Sequence, residues 1–291
     1  MTIPAEHIAR SPDAHPTDLL IGHGAGPGLA VMLHAAGSSP RALDRLAKHL
    51  AGQAWSTLAP ALVRDGASLA VGAPVFRDAI GLVRSLLDRP TRGSKLLFGH
   101  SMGGLIALKA VIGGVKVDAL VLYEPIVLAL LDRQDAQDQI ARAWDADVLH
   151  DFQRHMALGD AQAGLARFVD AYGDVAWRDL PGPVQSELTV RAPRLLAEAE
   201  ATHMAELAPA DVARLDLPVL ILQGSRSPAV LGRMVKRLGV LLPHADIVTI
   251  DGAGHMGPIS AAAMVGDEIG AFLARHALDP NRHEGPGLPS K

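Results

Sequence analysis

The sequence contains no cysteine. That absence removes disulfide frameworks, thiol nucleophiles, thiolate zinc sites and iron-sulfur clusters from consideration. Aromatic residues make up only 3% of the chain, too few to build stacking platforms for bases or sugars. Basic residues are not in excess either: 27 Lys and Arg stand against 31 Asp and Glu, a formal charge of -4, so nucleic acid is not an expected partner. Long hydrophobic runs are missing as well. The stretch 119–131 is interrupted by Glu124 and Pro125, so no membrane span is expected. Residues 1–16 show no basic start followed by an apolar segment, and the default expectation is a cytoplasmic protein. What is present is 291 residues with 49% hydrophobic and 20% charged, ample for a buried core.

Short apolar runs at 29–33, 95–98, 119–123, 217–222 and 246–250 read as strands buried on both faces. Amphipathic segments at 40–50, 74–87, 102–112, 229–242 and 260–276 alternate with them and read as helices. This alternation predicts an α/β fold with a mostly parallel sheet between helical layers. Between 126 and 213 the rhythm breaks, and helical patterns at 135–144, 146–158, 160–172 and 183–202 predict a helical insertion. The expected organisation is a core formed by 1–125 and 214–278, a helical cap at 126–213, and a Pro- and Gly-rich tail at 279–291 without apolar period.

The strongest chemical signal is Gly99-His100-Ser101-Met102-Gly103, which follows an apolar strand and opens an apolar helix. A serine on a sharp strand-to-helix turn needs side-chain-free residues two positions before and two after it, which Gly99 and Gly103 provide. The hydroxyl then needs a base, itself oriented by a third group. His255 is the candidate, placed between the last strand and the last helix in 251–258, DGAGHMGP. Backbone donors for an oxyanion are expected from Met102, next to the serine, and from Ala36 in the turn His34-Ala35-Ala36-Gly37-Ser38-Ser39. Ala35, His100 and Met256 are expected against the substrate. For His34 and His100 the favoured role is structural, bonding backbone or packing beneath the turn.

These three segments, GHSMGG, HAAGSS and GAGHMGPI, resemble forms found in the α/β-hydrolase superfamily, in matching element order over roughly residues 19 to 277. The resemblance implies an eight-stranded, mostly parallel sheet, a helical cap after the sixth strand of that fold, and hydrolysis with neither cofactor nor metal. Ala35 departs mildly from the common His-Gly pattern. A larger departure is Gly224-Ser225-Arg226-Ser227-Pro228, where such proteins usually carry the acid and this chain has Ser227. Losing the acid from such a triad costs about 10⁴-fold in kcat in a serine protease. Glu124, in Leu122-Tyr123-Glu124-Pro125 one strand nearer the serine, would emerge at the same sheet edge and is the expected replacement. Asp251, a cap carboxylate, or no carboxylate at all stay open. A surface ion pair of Glu124 with Arg226 is the bland alternative. The pairing of Glu-Pro after one strand with Ser-Pro after the next resembles a subgroup of bacterial α/β-hydrolases.

Other signals carry less. Gly22-His23-Gly24-Ala25-Gly26-Pro27-Gly28 looks superficially like a dinucleotide loop, but Pro27 takes the third glycine position and a strand follows, so it reads as a turn. His150 and His155 lack zinc-helix spacing. Met102, Met156, Met204 and Met256 are candidates for a pliable pocket lining, with plain core as the alternative. The expected function is a serine esterase acting on an ester, thioester or lactone of a small, largely apolar molecule. C-C bond hydrolysis and cofactor-free perhydrolysis would use the same residues, and a ligand-binding homologue with weak activity is the rival of another class. A homodimer is left open.

Overall fold

The computed structural model describes residues 20–63, 75–278 and 280. Seven strands form one sheet in the order β1-β3-β2-β4-β5-β6-β7. They are β1 (Leu20–His23), β2 (Gly28–Leu33), β3 (Trp55–Pro60), β4 (Lys95–His100), β5 (Ala119–Tyr123), β6 (Val219–Gly224) and β7 (Asp246–Ile250). β1 runs antiparallel to β3, and the remaining pairings are parallel. The eight strands implied by the resemblance are thus seven among the described residues, with β1 closing one edge. The glycine-rich 22–28 stretch joins β1 to β2 as a turn. The expectations for residues 1–16, for a helix start at Pro74 and for the tail at 279 and 281–291 lie outside the described residues.

Successive strand residues point to opposite faces, and the sheet buries both. Val31, Leu33, Leu97, Leu122 and Ile221 pack on one face with helices α2 (Val75–Leu87), α3 (Met102–Ile112) and α8 (Ala229–Leu241). Met32, Phe98, Val121, Tyr123 and Leu222 pack on the other with α1 (Asp44–Gly52) and α10 (Ala262–Arg275). α3 is buried along nearly its whole length, which explains why its sequence is apolar on all sides rather than in a stripe. Two strands, β1 and β3, escaped the sequence reading: β1 has only four residues, and Ser56 and Thr57 break the apolar run of β3.

Between β5 and β6 the chain forms α4 (Ala136–Ala157), α5 (Ala161–Tyr172), α6 (Gly182–His203) and the short α7 (Pro209–Val212). Asp135 caps α4 by accepting from the Gln137 and Asp138 N–H groups, and Asp160 caps α5 through Ala163. Two helices were expected over 135–158, but one continuous helix is present. Asp145 interrupts the apolar period there, yet faces inward to polar partners, so the sequence pattern breaks where the helix does not. Phe152, Leu165, Ala192 and Leu195 give these helices a small core of their own. The last helical stretch is split into α9 (Gly257–Ser260) and α10.

Close approach of α3 to the sheet depends on Gly103, where a methyl group would stand 2.5 Å from the Leu33 carbonyl oxygen and 2.6 Å from that of His34. Gly81 in α2 is exposed with open space around it. Gly103→Ala is expected to destabilise the fold by about 3 kcal/mol. Gly81→Ala should stabilise it by about 0.5–1 kcal/mol. Urea unfolding of the two variants beside wild type checks both signs.

Candidate active site

The site lies at the carboxyl ends of β4, β5 and β6, where open α/β sheets gather their ligands. In the β4–β5 register His100 pairs with Tyr123, so Ser101 and Glu124 are the next residues of adjacent strands. Both turn out of the sheet through left-handed backbone, Ser101 at φ 57° and Glu124 at φ 42°. Such conformations cost about 1–2 kcal/mol for a non-glycine residue and are held by their surroundings. Here the Ser101 N–H donates to the Tyr123 carbonyl at 3.0 Å, and the Glu124 N–H to that of Leu222 at 3.0 Å. At Gly99 an added methyl group would meet the Gly103 carbonyl oxygen at 2.5 Å, so both flanking glycines are required by space.

His255 closes the arrangement. Its Nε2 is 3.1 Å from the Ser101 Oγ, and its Nδ1 is 2.8 Å from Glu124 Oε2. The other carboxylate oxygen of Glu124 accepts the Gly224 N–H at 2.7 Å. All three side chains are buried. Glu124 is fully enclosed, which replaces the surface ion pair with Arg226 by a buried contact to His255. Asp251 is exposed and accepts from the Ser225 hydroxyl instead. Ser227, at the usual acid position, has a buried Oγ without a hydrogen-bond partner among the described residues. A hydroxyl, an imidazole and a carboxylate bonded in series can deprotonate the hydroxyl and stabilise the imidazolium that results.

The histidine turn is fixed from three sides. Tyr123 donates its hydroxyl to the Gly254 carbonyl at 2.7 Å, and His100 Nε2 donates to the His255 carbonyl at 2.8 Å. Asp174, in the segment after α5, accepts from the Met256 N–H at 3.0 Å and from the Ser260 hydroxyl at 2.7 Å. His100 therefore sits beneath the turn and does not line the cavity, which corrects its placement against the substrate. Its burial, reinforced by the nearby His255, drives its pKa well below the ordinary histidine value.

The turn 34–39 is held from below and from above. From below, His34 Nδ1 donates to the Ala35 carbonyl at 2.8 Å while Nε2 accepts the Leu62 N–H at 3.3 Å. Accepting at one nitrogen requires a neutral ring, in keeping with a pKa lowered to about 4, chiefly by burial and secondarily by the Arg194 and Arg191 charges working against the Ala35 bond. From above, Glu198 of α6 accepts the Gly37 N–H at 2.6 Å and pairs with Arg194 Nε at 2.8 Å. The Glu198 side chain is wholly buried. The sequence reading missed Glu198 and Asp174. α6 carries no strong apolar stripe, so nothing local marks which of its polar residues turns inward.

Ser101, Met102, Ala35, Ala36, His255 and Met256 form the floor of a cavity of about 1100 Å³. Val148, Leu149, Phe168, Tyr172 and Leu188 from α4, α5 and α6 form its roof. As the first residue of α3, Met102 has an N–H with no carbonyl a turn behind it. Met204 is exposed and Met156 packs against the small helical core, so of the four methionines Met102 and Met256 line the cavity. No helix among the described residues is long and apolar enough to cross a membrane. Nor do the described residues contain a cluster of three or more metal-ligating side chains.

Residues 30–267 match the Alpha/beta hydrolase family, and the chain belongs to it. Among solved structures, the esterase EaEST from Exiguobacterium antarcticum is 13% identical with a TM-score of 0.69, covering 88% of this chain and 94% of that one. A structure reported with carboxylesterases of Nitrososphaera gargenis is 19% identical with a TM-score of 0.65, covering 89% and 94%. A bromoperoxidase from Bacillus anthracis is 16% identical with a TM-score of 0.66, covering 88% and 94%. At these identities the likeness is one of fold. No curated protein matches the sequence.

Two outcomes follow from the buried polar groups. The folded chain keeps His34 and His100 neutral, whereas the unfolded chain takes up protons below the ordinary value of 6.5. Stability is therefore full above pH 6.5 and lost as pH falls toward 4, by about 1.4 kcal/mol per pH unit for each ring. Urea unfolding from pH 7 to pH 5.5 should show this slope, reduced in His34→Gln. Separately, Glu198→Ala strips a buried acceptor from Gly37 and Arg194 and should cost about 3 kcal/mol. Glu198→Gln, which keeps an acceptor oxygen, should cost less in the same urea-unfolding measurement.

Proposed function

We propose that this protein is a serine hydrolase that cleaves a carboxylic ester, thioester or lactone through an acyl-enzyme. The observation that carries this reading is the bonded series Ser101–His255–Glu124 opening onto a largely apolar cavity. In it, Ser101 Oγ attacks the ester carbonyl while His255 Nε2 takes the hydroxyl proton. Glu124 holds the Nδ1–H of His255 and balances the imidazolium charge. The carbonyl oxygen becomes an oxyanion, for which the Met102 and Ala36 amides are the donors. Collapse of the tetrahedral adduct breaks the C–O bond, and His255 returns the proton to the leaving alcohol. Water, activated by the same histidine, then releases the acid and regenerates Ser101.

The helical segment 126–213 acts as a cap in this reading, its roof residues holding the apolar part of the substrate. Ala35 and Met256 line the cavity floor and contact the substrate there. An esterase and a structure reported with carboxylesterases, both of the same fold, agree with the assignment. The rival reading of a ligand-binding homologue drew its weight from the missing acid at Ser227, and the contact of Glu124 with His255 supports the hydrolase reading instead.

The test is kcat/KM on p-nitrophenyl esters from acetate to decanoate. Ser101→Ala is expected to abolish turnover, and Glu124→Gln to lower kcat by on the order of 10³–10⁴-fold. Turnover that survives Ser101→Ala would end the serine assignment. A Glu124→Gln enzyme within a few-fold of wild type would mean that some other group orients His255.

A further inference from the structure

A second polar centre stands in the roof of the same cavity. Asp145 of α4 accepts the Tyr172 hydroxyl with one oxygen and lies 2.7 Å from His203 Nδ1 with the other. Asp145 is buried, and Tyr172, Asp145 and His203 all line the cavity above Ser101. The Tyr172 ring is 5.9 Å from the His255 ring, centroid to centroid, so this centre begins one aromatic ring away from the proposed catalytic base. With Nδ1 committed to Asp145, the Nε2 edge of His203 has no partner among the described residues.

His203 also lines a second depression of about 540 Å³, whose polar wall is Arg133, Gln139 and Arg142 with no acidic side chain. Arg142 is fixed there by one donor to the Leu128 carbonyl at 2.8 Å. Neither its remaining donors nor the Arg133 guanidinium meets an acceptor among the described residues. The neighbouring acids are already engaged: Asp135 and Asp138 by Arg233 and Arg237, and Asp132 by Arg237. The acids of the main cavity are engaged too, Asp174 by the histidine turn and Glu187 by Arg191.

From these facts we infer that His203 and Arg142 hold a carboxylate at the far end of the substrate, so that the preferred esters carry an apolar spacer with a free carboxylate at its distal end. This rests on the esterase reading above and narrows its substrate class. Leu149, Val148 and Leu188 flank the path as the spacer's walls. Asp145 holds the His203 ring with Nδ1 inward and Nε2 outward, so a carboxylate bound there is met by the Arg142 guanidinium and, when the ring carries both protons, by the Nε2–H. A group serving only to latch three helices would need neither an idle ring edge nor a place in both cavity walls.

The experiment compares mono-4-nitrophenyl esters of dicarboxylic acids, from adipate to sebacate, with methyl-ended 4-nitrophenyl esters of matched chain length. In wild type, kcat/KM for the carboxylate-ended ester should exceed that of its partner by on the order of 10-fold at one chain length or more. His203→Gln and Arg142→Met should each bring that ratio toward one. No preference at any length, or a preference that both variants retain, overturns the inference while the esterase reading stands. Should neither ester type be hydrolysed, the esterase reading fails. Titration of suberate into the Ser101→Ala chain by calorimetry then decides this one separately: binding that His203→Gln removes supports it, and absence of binding overturns it.

Discussion

The Glu124 carboxylate is the contact on which the site depends. It is enclosed, it is charged in the proposed reaction, and its two oxygens are divided between a backbone N–H of β6 and the imidazole of His255. A buried carboxylate is tolerable only with such partners, because removing either leaves an uncompensated charge in a poorly polarisable interior. The partners come from β5, β6 and the segment after β7, so the acid also ties together three parts of the chain that are far apart in sequence. Strand register does the rest: since His100 pairs with Tyr123, the serine and the acid leave the sheet at the same level, with the histidine reaching over both.

Much of this was legible in the sequence, for definable reasons. Gly99 and Gly103 around Ser101 encode a steric demand that only glycine meets, so the turn could be located without coordinates. The strands buried on both faces are continuous apolar runs, and all five expected strands begin and end within two residues of those observed. Glu124 could be singled out because Ser227 stood where an acid was due. What stayed hidden were residues whose role depends on a partner from another element of the chain. Glu198 is an ordinary helix residue until Gly37 is brought to it, and Asp145 looks like a helix break until Tyr172 and His203 surround it. His100 was misplaced for a related reason: adjacency to Ser101 in sequence says nothing about which side of the turn a side chain takes.

The helices between β5 and β6 are joined to the core at the two loops that carry the chemistry. Glu198 and Arg194 grip the turn 34–39, and Asp174 grips the turn around Met256. Glu198 and Asp174 accept backbone N–H groups and Arg194 donates to the Ser38 carbonyl, charge-assisted bonds stronger than neutral ones. The roof therefore does not merely cover the cavity. It sets the positions of the Ala36 amide and the His255 ring, so packing changes inside the helical segment propagate to the floor through two defined contacts.

In the proposed reading, an acid after β5 also relieves the loop after β6 of supplying one. In the usual arrangement the segment after the next strand has to hold a carboxylate at a fixed distance from the histidine, which restricts its length and composition. Here the turn 225–228 is closed by backbone bonds and by the Ser225 hydroxyl, which donates to Asp251 and accepts the Gly252 N–H, while the buried Ser227 Oγ has no hydrogen-bond partner among the described residues. In the proposed reading Ser227 itself is thereby a place beside the site where the side chain can change without displacing the carboxylate at His255, which is held by Gly224 instead.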